Sequence, residues 1–102
     1  MSDWLKVCRL EEIPALGARV VQTGKGDIAV FRNAEDEVFA MNDKCPHKGG
    51  PLSQGIVSGR RVTCPLHGMN IHLDSGEAVA PDTGCTHRYD TKVEDNVVYL
   101  QI

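Results

Sequence analysis

The chain has 102 residues, room for one small domain and too few for two. Hydrophobic residues make up 41% and charged residues 25%, with a net charge of −3, which excludes a mainly disordered chain and the basic stripe of a nucleic-acid binder. Apolar runs are only a few residues long, far short of a membrane span. The start, Met1-Ser2-Asp3-Trp4-Leu5-Lys6, lacks the basic-then-apolar pattern of a secretory signal. The expectation is a cytoplasmic protein with no nucleic-acid and no membrane partner.

In chain order, alternating segments predict strands at Trp4 to Leu10, Arg19 to Thr23, Ile28 to Arg32 and Val38 to Asn42. Turn residues separate them at Pro14 to Gly17, Gly24-Lys25-Gly26-Asp27 and Asn33 to Glu37. A short helical turn at Glu11 to Leu16 is compatible with the two glutamates at its start. Further strands are predicted at Arg61 to Thr63, Asn70 to Leu73, Arg88 to Val93 and Val97 to Ile102, with Asp74-Ser75-Gly76 and Glu94-Asp95-Asn96 as tight connections. No helical period is sustained. Ten glycines and five prolines also favour many turns, so the predicted fold is all-β: one antiparallel sandwich or small barrel without a linker. Trp4, Phe31, Phe39 and Tyr99 are expected in the core.

Two short loops carry chemistry. Cys45-Pro46-His47 is followed, sixteen residues after its histidine, by Cys64-Pro65-Leu66-His67. Glycine follows each histidine, at Gly49-Gly50 and at Gly68. Glycine lets backbone amides crowd a centre, and proline stiffens the loop. Two thiolates and two neutral imidazoles suit a Rieske 2Fe-2S cluster, in which one iron keeps two cysteines and the other takes two histidines. On that reading Cys45 and Cys64 hold one iron, and His47 and His67 the other. A zinc site of the same four residues, a catalytic Cys–His pair and a Cys45–Cys64 disulfide are the alternatives. Zinc knuckles usually run Cys-x₂₋₄-Cys then His-x₃₋₅-His, and a disulfide leaves the matched histidines unexplained. Cys8 and Cys85 read as small core-filling residues, His72 and His87 as surface or hydrogen-bonded residues, and Lys48 as a solvated charge beside the first loop.

On Cys45-Pro46-His47-Lys48-Gly49-Gly50-Pro51-Leu52 and Cys64-Pro65-Leu66-His67-Gly68, the sequence resembles the Rieske ferredoxin-like family. The resemblance implies a β-sandwich over residues 1–102 with a small cluster-binding subdomain at about 43–83. It also implies an electron-transfer tip at His47 and His67, and a third loop covering the cluster at Pro81. High-potential respiratory members carry an extra disulfide-forming cysteine in each loop. The corresponding places here are Gly50 and Leu66. Those members also have hydrogen-bonding serine and tyrosine residues after the second histidine, where this chain has Gly68, Met69 and Asn70. Fewer hydrogen bonds to the cluster imply the low end of the Rieske range, about −150 mV.

The segment Pro81 to Thr86, with Lys92-Val93-Glu94-Asp95, resembles the small subunit of NADH-dependent assimilatory nitrite reductase. That implies a large partner subunit carrying sirohaem and FAD, on which nitrite becomes ammonium, with no catalytic residue on this chain. Met69 departs from the tryptophan that many relatives carry there. The alternative implied by the same ligands is the ferredoxin of an aromatic-ring-hydroxylating dioxygenase system, partnered by a reductase and an oxygenase.

Overall fold

The computed structural model describes residues 4–24, 26–46, 50–66 and 68–102. Among the described residues, ten strands form three antiparallel sheets: β1 (Trp4–Arg9), β2 (Gly17–Thr23), β3 (Gly26–Arg32), β4 (Val38–Asn42), β5 (Ile56–Ser58), β6 (Arg61–Thr63), β7 (Asn70–His72), β8 (Arg88–Tyr89), β9 (Thr91–Glu94) and β10 (Val97–Gln101). The sheets run β1-β10-β9, β2-β3-β4-β8 and β5-β6-β7. The helical content described is two 3₁₀ turns, Leu10–Glu12 and Leu52–Gln54. The predicted all-β fold is the one observed.

The four-stranded sheet is the middle layer. Along β3, Ile28 and Val30 point to one side and join Cys8, Ala40, Tyr89, Val98 and Leu100 in a core shared with β1-β10-β9. Ala29 and Phe31 point to the other and join Met41, Leu52, Val57, Val62, Ile71 and Leu73 in a core shared with β5-β6-β7. A strand covered on both faces loses the polar alternation of a half-exposed one, which is why Ile28-Ala29-Val30-Phe31 is a continuous buried run. Each large side chain so buried contributes about 1.5–3 kcal/mol.

Turn chemistry sets the register. The β9–β10 hairpin closes through Asp95 and Asn96 at φ 50° and 65°, the left-handed pair that a two-residue hairpin loop requires. Between β3 and β4, the Asn33 side-chain oxygen accepts from the amides of Glu35 and Glu37 at 3.1 and 2.8 Å. The 3₁₀ turn at Leu10–Glu12 is held by Arg32, whose Nη1 donates to the Ile13 carbonyl at 2.9 Å.

The structure corrects four sequence expectations. The segment Arg88 to Val93 is two strands: β8 pairs with β4, the chain turns at Asp90, and β9 pairs with β10. The switch is fixed by Thr91 Oγ1 donating to Val38 O at 2.7 Å and the Gln101 amide donating to Asp90 O at 2.9 Å. Strand β5 escaped prediction because only Val57 of its three residues is buried. Trp4 is 37% exposed and Tyr99 half-buried, both outside the two cores, with the Lys92 ammonium 4.6 and 5.4 Å from their ring centroids. Cys85 is exposed, whereas Cys8 is buried as expected.

Candidate metal centre

The first cysteine loop leaves β4. Its base is tied on both sides. The Asn42 amide donates to His87 O at 2.9 Å, and Tyr89 Oη donates to Asn42 Oδ1 at 3.1 Å. The Asp43 carboxylate then accepts from both the amide and the hydroxyl of Ser53, at 2.7 and 2.8 Å, pinning the loop's start to its exit. Within it, the Cys45 amide donates to Gly50 O at 2.8 Å.

The second loop joins β6 to β7 and repeats that closure. The Cys64 amide donates to Met69 O at 2.7 Å, again five residues ahead. Across its base, Thr63 Oγ1 donates to Asn70 Oδ1 at 2.6 Å. The Cys64 carbonyl accepts from the Gly68 amide at 3.1 Å, with Gly68 at φ +70°. Cys45 and Cys64 are 3% and 2% exposed and share one apolar core with Met41, Leu52, Val62 and Met69.

The loops touch. A Cβ built on Gly50 would lie 2.6 Å from Leu66 Cδ1 and 3.6 Å from Cys64 Sγ, so the first loop ends against the second loop's cysteine. A third loop closes over the first. It is anchored by Val79 N to Asn70 O and Ala78 N to Gly84 O, both 2.9 Å, and it contains a cis Ala80–Pro81 bond. Gly84, at φ +119°, leaves no side chain toward Pro46; a Cβ there would sit 3.2 Å from the proline's Cβ.

Two matched loops each place a buried cysteine in the same core, and among the described residues no disulfide joins them. That donor set fits the sulfur-ligated half of a 2Fe-2S cluster. His47, His67 and Lys48 lie outside the described residues, so no group of three metal-ligating side chains occurs among those described. Cys8 stands apart in the other core, where burial pushes its thiol pKa up, partly offset by Arg19. His72 is half-buried on β7; His87 is exposed and packs edge-on against Tyr89 with ring centroids 4.6 Å apart. Sequence reading missed the Asp43–Ser53 tie and the Leu66–Gly50 contact. The first had a readable signal, an acidic residue at the strand exit and a serine opening the next turn.

The Rieske [2Fe-2S] domain family matches residues 3–90. The chain is 36% identical over 100 residues to the 3-phenylpropionate/cinnamic acid dioxygenase ferredoxin subunit of Photorhabdus laumondii, covering 96% of this chain and 93% of that protein. It is also 31% identical to human Apoptosis-inducing factor 3 over 93% of this chain, but spans only 16% of that protein's length. Among solved structures, a chain in the complex of reduced oxygenase and oxidized ferredoxin in carbazole 1,9a-dioxygenase superposes with a TM-score of 0.84 at 29% identity, over 96% of this chain and 92% of that one. A protein assigned as a nitrite reductase NADPH small subunit gives 0.85 at 25% identity, over 96% and 97%. Fold, matched cysteine loops and relatives agree: the chain belongs to the Rieske [2Fe-2S] family, carries a Rieske-type 2Fe-2S cluster and transfers electrons.

Proposed function

We propose that Cys45 and Cys64 ligate one iron and His47 and His67 the other, within a single domain whose residues 43–83 hold the cluster, and that the chain hands single electrons to a larger redox enzyme. The observation that carries this is the pair of loops, each closed by a cysteine amide onto the carbonyl five residues ahead and each delivering a buried cysteine to the same core. The bound cluster supplies reversible one-electron chemistry. The chain's residues hold its surroundings still. Pro46 and Pro65 restrict their loops, Asp43 and Thr63 tie the loop bases, and Met69 and Leu52 exclude water behind the cysteines. A site that barely moves between charge states keeps the reorganisation cost of electron transfer low.

The partner we favour is the large sirohaem and FAD subunit of an NADH-dependent nitrite reductase, working in nitrate assimilation. Supporting this is the place of the Pro81 to Thr86 segment, which carries the resemblance and forms the loop packed on Pro46, beside the cluster end where a partner would dock. The Lys92 to Asp95 segment weighs less, because hairpin geometry and the Lys92–Glu94 ion pair at 2.9 Å already account for it. A second reading, dioxygenase ferredoxin, is favoured by the 36% identity to a ferredoxin subunit of matching length. We keep a cytoplasmic setting as part of this proposal; among the described residues no helix is long and apolar enough to cross a membrane.

Affinity purification from the native cell tests the partner. A co-eluting flavin- and sirohaem-containing subunit that oxidises the reduced small protein supports the first reading. A co-eluting oxygenase that does so supports the second and overturns the first.

A further inference from the structure

We propose that Leu66 is a positioning residue for the cluster: a noncovalent latch that closes the second cysteine loop onto Gly50 of the first and shields the Cys64 sulfur. The inference rests on the ligand set proposed above.

Gly50 is buried, and its carbonyl holds the Cys45 amide at 2.8 Å. The space its missing side chain leaves is filled from the other loop. A Cβ there would meet Leu66 Cδ1 at 2.6 Å, Leu66 Cγ at 2.8 Å and Cys64 Sγ at 3.6 Å. Leu66 is nevertheless 52% exposed, so it is not a core residue. One side of it lies on Gly50 and the other faces solvent. Burying only part of a leucine biases two short loops toward the closed arrangement without locking it. The two loops are thus tied at this point by an apolar contact.

The electrostatic consequence has a definite sign. Two thiolates and two neutral imidazoles leave the oxidised cluster neutral and the reduced one singly negative. Apolar cover over Cys64 therefore disfavours reduction, and admitting water there favours the charged, reduced form.

The test uses reconstituted holoprotein with Leu66→Ala, Leu66→Met, Gly50→Ala and the double variant Gly50→Ala/Leu66→Ala. It reads the decay of visible absorbance under excess iron chelator and the midpoint potential. For Leu66→Ala, cluster loss accelerates by at least about threefold and the potential rises, while Leu66→Met stays within about twofold of the parent. Gly50→Ala displaces Leu66 and behaves like Leu66→Ala. The double variant loses its cluster more slowly than Gly50→Ala, because the methyl group introduced in the first loop then has room. If Leu66→Ala is too unstable to load, Leu66→Val gives the same comparison. Unchanged decay and potential in the Leu66 variants, beside a normal parent, overturn the latch alone. Strictly additive Gly50 and Leu66 effects overturn it too. A parent chain that takes up no iron overturns the ligand set and the latch with it.

Discussion

Arg60 grips both carboxylate oxygens of Glu37, with Nε 3.1 Å from Oε1 and Nη2 2.7 Å from Oε2. Glu37 ends the turn between β3 and β4, and Arg60 lies in the turn between β5 and β6, so this pair joins the middle sheet to the sheet that carries the second cysteine loop. Buried Asn33 completes the joint. Its side-chain nitrogen donates to Glu37 Oε1 at 2.9 Å and to Gly59 O at 3.1 Å.

Acid should loosen this joint. The Arg60 hydrogen bonds, followed by that of Asn33, hold the Glu37 carboxyl below the usual carboxylate range. A lowered native pKa gives stability that is fully present above the unfolded-state value and is lost as pH falls through the native one. Thermal stability should therefore decline as pH drops below the ordinary glutamate range, and Glu37→Gln should lose part of that dependence. The pair is solvent-exposed, so the effect is modest and shrinks in high salt. Melting curves across acidic pH, at low and high salt, check this; identical slopes in parent and variant contradict it.

Asn33 matters more than either charged partner because it is buried with four hydrogen bonds. Asn33→Ala leaves the Glu37 amide and the Gly59 carbonyl without that partner and should cost about 2–4 kcal/mol. Urea unfolding of the two proteins measures it, and a loss below about 0.5 kcal/mol contradicts the role given to Asn33.

Thiol chemistry separates the four cysteines. Cys85 is exposed, Cys8 is buried with its thiol pKa raised, and Cys45 and Cys64 are buried and are the proposed iron ligands. Native holoprotein should show one fast-reacting thiol with a disulfide reagent, absent in Cys85→Ser, and four after denaturation with chelator. Two or more fast thiols in the loaded protein would contradict the assignment.

Much of this is legible in the chain. The strand from Val38 to Asn42 reads with its observed bounds, since alternation and flanking turn residues agree there. The paired Cys-Pro motifs mark both loops, because metal ligation demands particular residues at fixed spacing. Long-range tertiary relations are not legible. The break at Asp90 depends on Val38 and Gln101, distant in sequence. The exposure of Trp4 depends on the layer order of the sheets, which local periodicity does not encode. The fit of Leu66 into the space beside Gly50 requires two loops to meet.

The assignment of Cys45, His47, Cys64 and His67 is tested most directly by pulsed EPR of the reduced protein, with iron and sulfide analysis, in the parent and in His47→Ala and His67→Ala. The parent should hold two irons and two inorganic sulfides per chain and show nitrogen couplings from two imidazoles, and both variants should lose that signal. One zinc per chain with no signal, or an unaltered signal in His67→Ala, would contradict it.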